Sequence, residues 1–366
     1  MKRHLKKFFA LCIFFALITS ASATFPVSEM SSLDDMRAIA VHAPSRFSPT
    51  SDWRNIEIIK ETPLYDANSI VSAYCFDLRN VDTGATAYIL VSAKTTDFPI
   101  IIYAPQGTSP YYTLSTDETA VFLSVGDFYV DNGDTYTSLL NDESVQKSQL
   151  TTQTVAEDSS SWLVEEYSEI RNRYINNTFS ESTMRAGVED ANLTGVPNWR
   201  WTYGCVPTAM GMIISYHYGG GKENILSGLA EKMGTNSDGF TYWSRAMSGT
   251  RSYLSTRSII PTTCEWASKN ILGGPRLGAT YNTKAAYRAQ INAGNPVLVA
   301  VENSTATSNT YTEGFGDHGM TGVGYMFSVV DGDYIIVHTT QIEDGDWYIG
   351  LNADGFREYA WGIFEP

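Results

Sequence analysis

Residues 196–209 read VPNWRWTYGCVPTA, and the cysteine among them, Cys205, lies where the sequence predicts the first turn of a helix. Pro207 fits a helix only in that first turn, because proline lacks the N–H that a helix interior requires. Apolar residues then recur at helical spacing, at Met210, Ile213 and Ile214. A thiol at a helix N-terminus faces unpaired N–H groups that favour the nucleophilic thiolate. The alternative is a buried structural cysteine, the commoner role of a lone cysteine.

A histidine suited to act as the base follows 113 positions later, at His318, where the pattern HGMTGVGY predicts the start of a strand. The other four histidines are less suitable. His4 belongs to the N-terminal leader, and His42 lies in the N-terminal segment. His217 is on the same predicted helix as the cysteine but about 18 Å away along its axis. His338 follows on a later strand, and we interpret it as a neighbour of the site rather than the base.

The nucleophile and histidine segments together resemble those of the bacteriocin-processing-type, or peptidase C39-like, branch of the papain-like cysteine peptidases. The resemblance covers roughly residues 191–366, and both motifs agree in order and context. It implies an α+β, papain-like fold with an N-terminal helical part that carries the nucleophile helix and a C-terminal antiparallel sheet. It also implies that Cys205 is the nucleophile and His318 the general base of a peptidase.

This sequence departs from the papain-like pattern at two positions. Trp199 stands where those enzymes have the glutamine that donates to the oxyanion, so Asn198, Trp199 and Trp201 are all candidate donors. Thr339 occupies the place of the asparagine that orients the histidine, and we expect its hydroxyl to hold the imidazole. His338 and Asp317 are weaker candidates for that role.

The N-terminus reads as a secretory signal peptide, residues 1–23, with a basic start, an apolar run and a small-residue end at Ala21-Ser22-Ala23. We therefore expect a secreted or extracellular protein with no membrane span in the mature chain. Residues 24–155 are predicted to form a β-rich domain that weakly resembles the propeptides of streptopain-type peptidases. The equally open alternative is an unrelated β-domain. Residues 156–190 are predicted to be a helix and linker, with a maturation cut between Asn177 and Asn192.

Several individual elements follow from local patterns. Short apolar runs bounded by turn residues predict strands at Val71–Leu78, Ala87–Ser92, Pro99–Ala104 and Pro296–Val301. Helical periodicity and capping residues predict helices at Trp162–Asn176, Lys222–Met233 and Thr283–Ala293.

The charge and the cysteine content of the chain argue against several classes of partner and cofactor. The formal net charge of −15 disfavours nucleic acid and anionic membrane surfaces as partners. The cysteines that follow the leader are Cys75, Cys205 and Cys264, an odd number, so at least one is free or paired outside the chain. None has the spacing of a metal site, and we expect neither a metal nor another cofactor. No Gly-x-Ser-x-Gly turn supports a serine hydrolase.

The predicted function is therefore that of a secreted cysteine peptidase that hydrolyses peptide bonds through a Cys–His thioester mechanism. It would be made as a zymogen, with its own N-terminal domain as an intramolecular inhibitor and a peptide or protein as substrate. Two alternatives remain open at this stage. One is a non-catalytic binding or adhesion module on the same fold. The other is an acyltransferase that passes the same thioester to an amine.

Overall fold

The computed structural model describes nine stretches of the chain, and the predicted leader lies outside them. They are residues 30–140, 144–152, 161–179, 188–271, 273–302, 306–308, 317–343, 345–354 and 356–366. No helix in these stretches is long and apolar enough to cross a membrane. Within the same stretches, no group of three or more His, Cys, Asp or Glu residues could hold a metal ion. Cys75, Cys205 and Cys264 are free thiols.

In the residues that the structure describes, the N-terminal half has two α-helices and a series of strands. The helices are α1 (Leu33–His42) and α2 (Ser161–Asn176). The strands are β1 (Ile56–Tyr65), β2 (Val71–Asn80), β3 (Thr86–Ser92), β4 (Ile100–Ala104), β5 (Thr119–Ser124), β6 (Asp127–Asp131), β7 (Thr135–Ser138), β8 (Ser144–Gln146), β9 (Leu150–Thr152) and β10 (Val188–Asn192).

The C-terminal half places its helices before most of its strands. The helices are α3 (Cys205–Tyr218), α4 (Lys222–Met233), α5 (Trp243–Ser255) and α6 (Lys284–Asn292). The strands are β11 (Thr263–Trp266), β12 (Val297–Glu302), β13 (Ala306–Ser308), β14 (His318–Ser328), β15 (Gly332–His338), β16 (Trp347–Gly350) and β17 (Glu358–Glu365).

Local chemistry explains why these elements begin and end where they do. Helix α4 ends before Gly234, which adopts the left-handed conformation that glycine accepts most readily. Helix α6 begins after Thr283, whose hydroxyl accepts a hydrogen bond from the Ala286 N–H. The predicted helices and strands named above are present, with ends that differ by a few residues. Cys205 begins α3 and His318 begins β14, as predicted.

One sheet of fifteen strands runs through both halves of the molecule. Its order is β11-β17-β12-β14-β15-β16-β4-β3-β2-β1-β5-β6-β7-β8, and β10 pairs with β14 beside this path. Strand β16 joins the halves because it pairs with β4, Tyr348 opposite Tyr103 and Ile349 opposite Ile102. Most neighbours are antiparallel, while β1 and β5 are parallel. The predicted α+β class is confirmed; the papain-like detail and the division into domains stay predictions.

The two halves also share a hydrophobic core. Phe47, which follows α1, stacks on Tyr103 of β4 with ring centroids 4.4 Å apart and meets Tyr348 of β16 edge-on at 5.1 Å. Nearby, Arg46 donates to Asp331 at 2.7 Å, and both side chains are almost fully buried, 2% and 1% exposed. A buried ion pair and aromatic packing of this kind belong to a continuous interior rather than to a loose domain contact.

Candidate active site

Helix α3 presents Cys205 at its N-terminus. The Gly204 carbonyl accepts hydrogen bonds from the Thr208 N–H at 3.2 Å and the Thr208 hydroxyl at 2.7 Å, which fixes the first turn. Residues 206–214 of the helix are buried, whereas Cys205 is only half-buried. The thiol therefore lies at the partly exposed end of a helix whose next nine residues are buried.

Strand β14 brings His318 to this helix end. Gly319 lies so close to α3 that a Cβ there would stand 3.2 Å from the Val206 nitrogen, a tight contact that glycine avoids. Further along the strand, the Thr321 hydroxyl donates to the Ala209 carbonyl at 2.9 Å. The N–H groups of Gly319, Val206 and Cys205 all approach the Cys205 sulfur. The structure thus brings the two predicted catalytic residues to one place.

The imidazole is held by the main chain that follows β15. His318 Nε2 lies 2.6 Å from the Thr339 carbonyl oxygen, which can only accept, so Nε2 carries the proton. The Thr340 hydroxyl is 3.5 Å from Nε2 and donates to the Gly319 carbonyl at 3.2 Å. This arrangement leaves Nδ1 as the ring nitrogen that is free to take a proton from a thiol.

Thr339 therefore contacts His318 differently from the prediction. Its carbonyl, not its hydroxyl, meets the ring, and the hydroxyl accepts the Gln341 N–H at 3.4 Å. The alternative residue His338 points elsewhere: Nδ1 lies 2.9 Å from the Pro197 carbonyl and Nε2 lies 3.0 Å from Asp346. Asp317, the other alternative, is close enough to raise the pKa of Cys205 through its charge.

Comparison with known families gives a match over the C-terminal half of the chain. Residues 192–364 match the model of the Peptidase_C39 like family. The match is confined to this half, and we call these residues the C39-like domain. No curated protein and no solved structure matches the chain. At the level of the family, the match suggests a cysteine peptidase, for which a peptide is the implied substrate.

Burial keeps both catalytic candidates of the C39-like domain uncharged. It raises the pKa of the Cys205 thiol to about 11, although the three surrounding N–H groups act in the opposite direction. It lowers the pKa of His318 to about 4, against the smaller effect of the Thr339 carbonyl. Near pH 7 the pair is a thiol and a neutral imidazole. The helix N-terminus favours the thiolate as the sequence suggested, but desolvation outweighs it here.

The three candidate oxyanion donors of the C39-like domain make other contacts in this structure. Asn198 donates its amide to the Gly345 carbonyl at 3.1 Å, and its Oδ1 is buried without a hydrogen-bond partner in the described part of the chain. The Trp199 ring packs towards Gly211 of α3. Trp201 packs its ring on Gly239 and donates its backbone N–H to the Thr340 carbonyl at 2.6 Å. Their role at the oxyanion stays a prediction.

A turn from the N-terminal half covers the histidine. Gly126, between β5 and β6, adopts φ +101°, and a Cβ there would stand 3.0 Å from His318 Cδ2. Its carbonyl accepts a hydrogen bond from Gln341 Nε2 at 2.8 Å. The turn is braced internally, because the Ser124 hydroxyl donates to Asp127 at 2.6 Å and both residues are buried. This contact joins positions 126 and 318, and no local pattern in the sequence indicates it.

Proposed function

We propose that the chain is a secreted cysteine peptidase whose intact form is inhibited by its own N-terminal half. The observation that carries the catalytic part is the bond from His318 Nε2 to the Thr339 carbonyl. This bond fixes the tautomer in which Nδ1 can accept a proton, beside a helix that begins at Cys205. Secretion rests on the signal-peptide pattern of residues 1–23.

In this mechanism the Cys205 sulfur attacks the carbonyl carbon of a peptide bond while its proton passes to His318 Nδ1. The carbonyl oxygen becomes an oxyanion, stabilised by the Cys205 N–H and by a donor from residues 198–201. Collapse of this intermediate breaks the C–N bond, and the leaving amine takes the proton from His318. Water, deprotonated by His318, then hydrolyses the thioester and restores the thiol.

The inhibited state is inferred from the turn at Gly126. Its main chain lies against the imidazole that must meet the substrate, and Gln341 holds it there. The turn also excludes water from the ring, which contributes to a neutral imidazole. Removing the cover would readmit water and move the pKa of His318 back towards its ordinary range. A cut among residues 177–187, between α2 and β10, is the proposed trigger.

The alternative is a non-catalytic module. It is favoured by one observation, which is that Trp199, at the position of the papain-like oxyanion donor, packs against the nucleophile helix. A binding module would keep the fold and the cysteine without turnover.

The test is peptide-library turnover by the full chain carrying Gly126→Ala, where the added methyl would push the turn away from His318. We expect turnover, and loss of several orders of magnitude with either Cys205→Ala or His318→Ala, because each group is useless without the other. Product formation that depends on added amine would indicate an acyltransferase. A folded but inactive Gly126→Ala chain, or activity that survives Cys205→Ala, would contradict the proposed function.

A further inference from the structure

In the intact chain, one of the two polar atoms of the Gln341 side chain has a hydrogen-bond partner and the other has none among the described residues. Its Nε2 donates to the Gly126 carbonyl at 2.8 Å. Its Oε1 is buried and has no hydrogen-bond partner among the residues that the structure describes. A buried acceptor without a donor is unfavourable, so this amide is suited to a partner that offers both a carbonyl and an N–H. An extended peptide main chain offers both.

The position of Gln341 indicates which segment of the substrate it could contact. It follows Thr340 and so lies just beyond Thr339, whose carbonyl oxygen His318 contacts. Gly126 touches both groups, since a Cβ there would stand 3.0 Å from His318 Cδ2 and 3.3 Å from Gln341 Oε1. His318 must return its proton to the amine that leaves, so the substrate segment on the amine side of the scissile bond has to pass this ring. The turn therefore occupies the path of that segment.

We propose that Gln341 binds the main chain of the substrate on the amine side of the scissile bond, in the place that Gly126 holds in the intact chain. Nε2 would donate to a substrate carbonyl, and Oε1 would accept a substrate N–H. This inference rests on the proposed function and adds to it a peptide-binding residue. The Gln341 amide can then bind either the Gly126 turn or the substrate, and the two compete for it.

The experiment compares two substrates in the full chain carrying Gly126→Ala. One is a library peptide that this chain cleaves, and the other joins the same acyl segment to an aminomethylcoumarin leaving group. Gln341→Met, which keeps the size of the side chain without its hydrogen bonds, should lower kcat/KM for the peptide roughly tenfold, mainly through KM. The coumarin substrate should change less than about twofold, since it has no amine-side main chain.

The matched control is Gln290→Met, the same change at a half-buried amide on α6 that donates to Glu365 at 2.9 Å. It should leave both substrates unaffected. Equal loss for both substrates in Gln341→Met would assign Gln341 a purely structural role. No loss for either would mean that Gln341 does not contact the substrate. Both results overturn the inference while leaving peptidase activity in place.

A second measurement does not depend on catalysis. A synthetic peptide of residues 122–129, FLSVGDFY, should protect Cys205 of the Gly126→Ala chain from iodoacetamide, since it supplies the displaced turn. Gln341→Met should raise the peptide concentration needed for half-protection roughly tenfold, and Gln290→Met should not. If no variant cleaves any peptide, the proposed function fails but this shift still supports the binding role. Protection that is unchanged by Gln341→Met would overturn it.

Discussion

The hydrogen bond that orients His318 is accepted by a main-chain oxygen. A substitution of the Thr339 side chain therefore leaves this bond in place. Thr339→Ala keeps the carbonyl that Nε2 contacts at 2.6 Å and removes only a hydroxyl bonded at 3.4 Å. We expect kcat/KM of the Gly126→Ala chain to fall by less than about threefold. Thr339→Asn should bring no gain, because the carbonyl already occupies Nε2. A hundredfold loss in Thr339→Ala would show that the hydroxyl orients the ring.

The burial of His318 predicts acid sensitivity of the intact chain. Its pKa is about 4 when folded, against an ordinary value near 6.5, so the unfolded state binds the proton more strongly between these values. Stability should therefore rise with pH through this window, and His318 should remove about 3 kcal/mol as the pH falls from 7 to 4. Denaturant unfolding of the wild type and His318→Gln measures this, since the difference between them should change with pH. A constant difference would contradict the predicted neutral imidazole.

The sequence was informative about which residues meet and less so about how they interact. Cys205 and His318 were recognisable because a helix start and a strand start are local patterns. The contact from the Thr339 carbonyl was not, because it depends on where a loop runs in three dimensions. The sequence also did not predict the direction in which the pKa of His318 is shifted. The residue that covers the ring, Gly126, is far away along the chain.

Among the elements, the β5–β6 turn should control access to Cys205. Gly126→Ala combines the strain of an L-residue at φ +101° with a methyl 3.0 Å from His318, at a cost of roughly 1–3 kcal/mol to the closed turn. Iodoacetamide labelling of Cys205 should become at least about tenfold faster. Gly133→Ala is the control, because Gly133 has φ +84° in the next turn but open space around it. Equal labelling rates in both variants would argue against an inhibitory turn.

The same contrast between local and distant information holds for the elements themselves. Helix α6 was predictable because Thr283 caps it and a glycine follows its end. Strands β2 to β4 were predictable because each is an apolar run between turn residues. The turn at Gly126 follows a strand of the same kind, yet it is held by Gln341, which no periodicity relates to it.

At the scale of the whole molecule, the continuous sheet is the feature that sequence patterns did not predict. The predicted boundary near residue 190 rests on composition and on a resemblance to families, and both describe segments separately. The pairing of β4 with β16 and the buried pair of Arg46 and Asp331 join residues more than two hundred positions apart. Such contacts are set by tertiary packing, and a single sequence carries little trace of them.

This shared interior leads to a prediction about maturation. A cut among residues 177–187 should leave the two pieces bound. Their separation would free the edge of β16, expose Phe47 and leave the Asp331 carboxylate without its partner Arg46. We expect a chain with a protease site inserted there to co-elute as one species after cleavage and to separate only in denaturant. The uncut chain is the control for size. Elution of the C-terminal piece alone, folded and active, would contradict this prediction. Co-elution with faster labelling of Cys205 would mean that activation needs movement of the β5–β6 turn and not release of the N-terminal half.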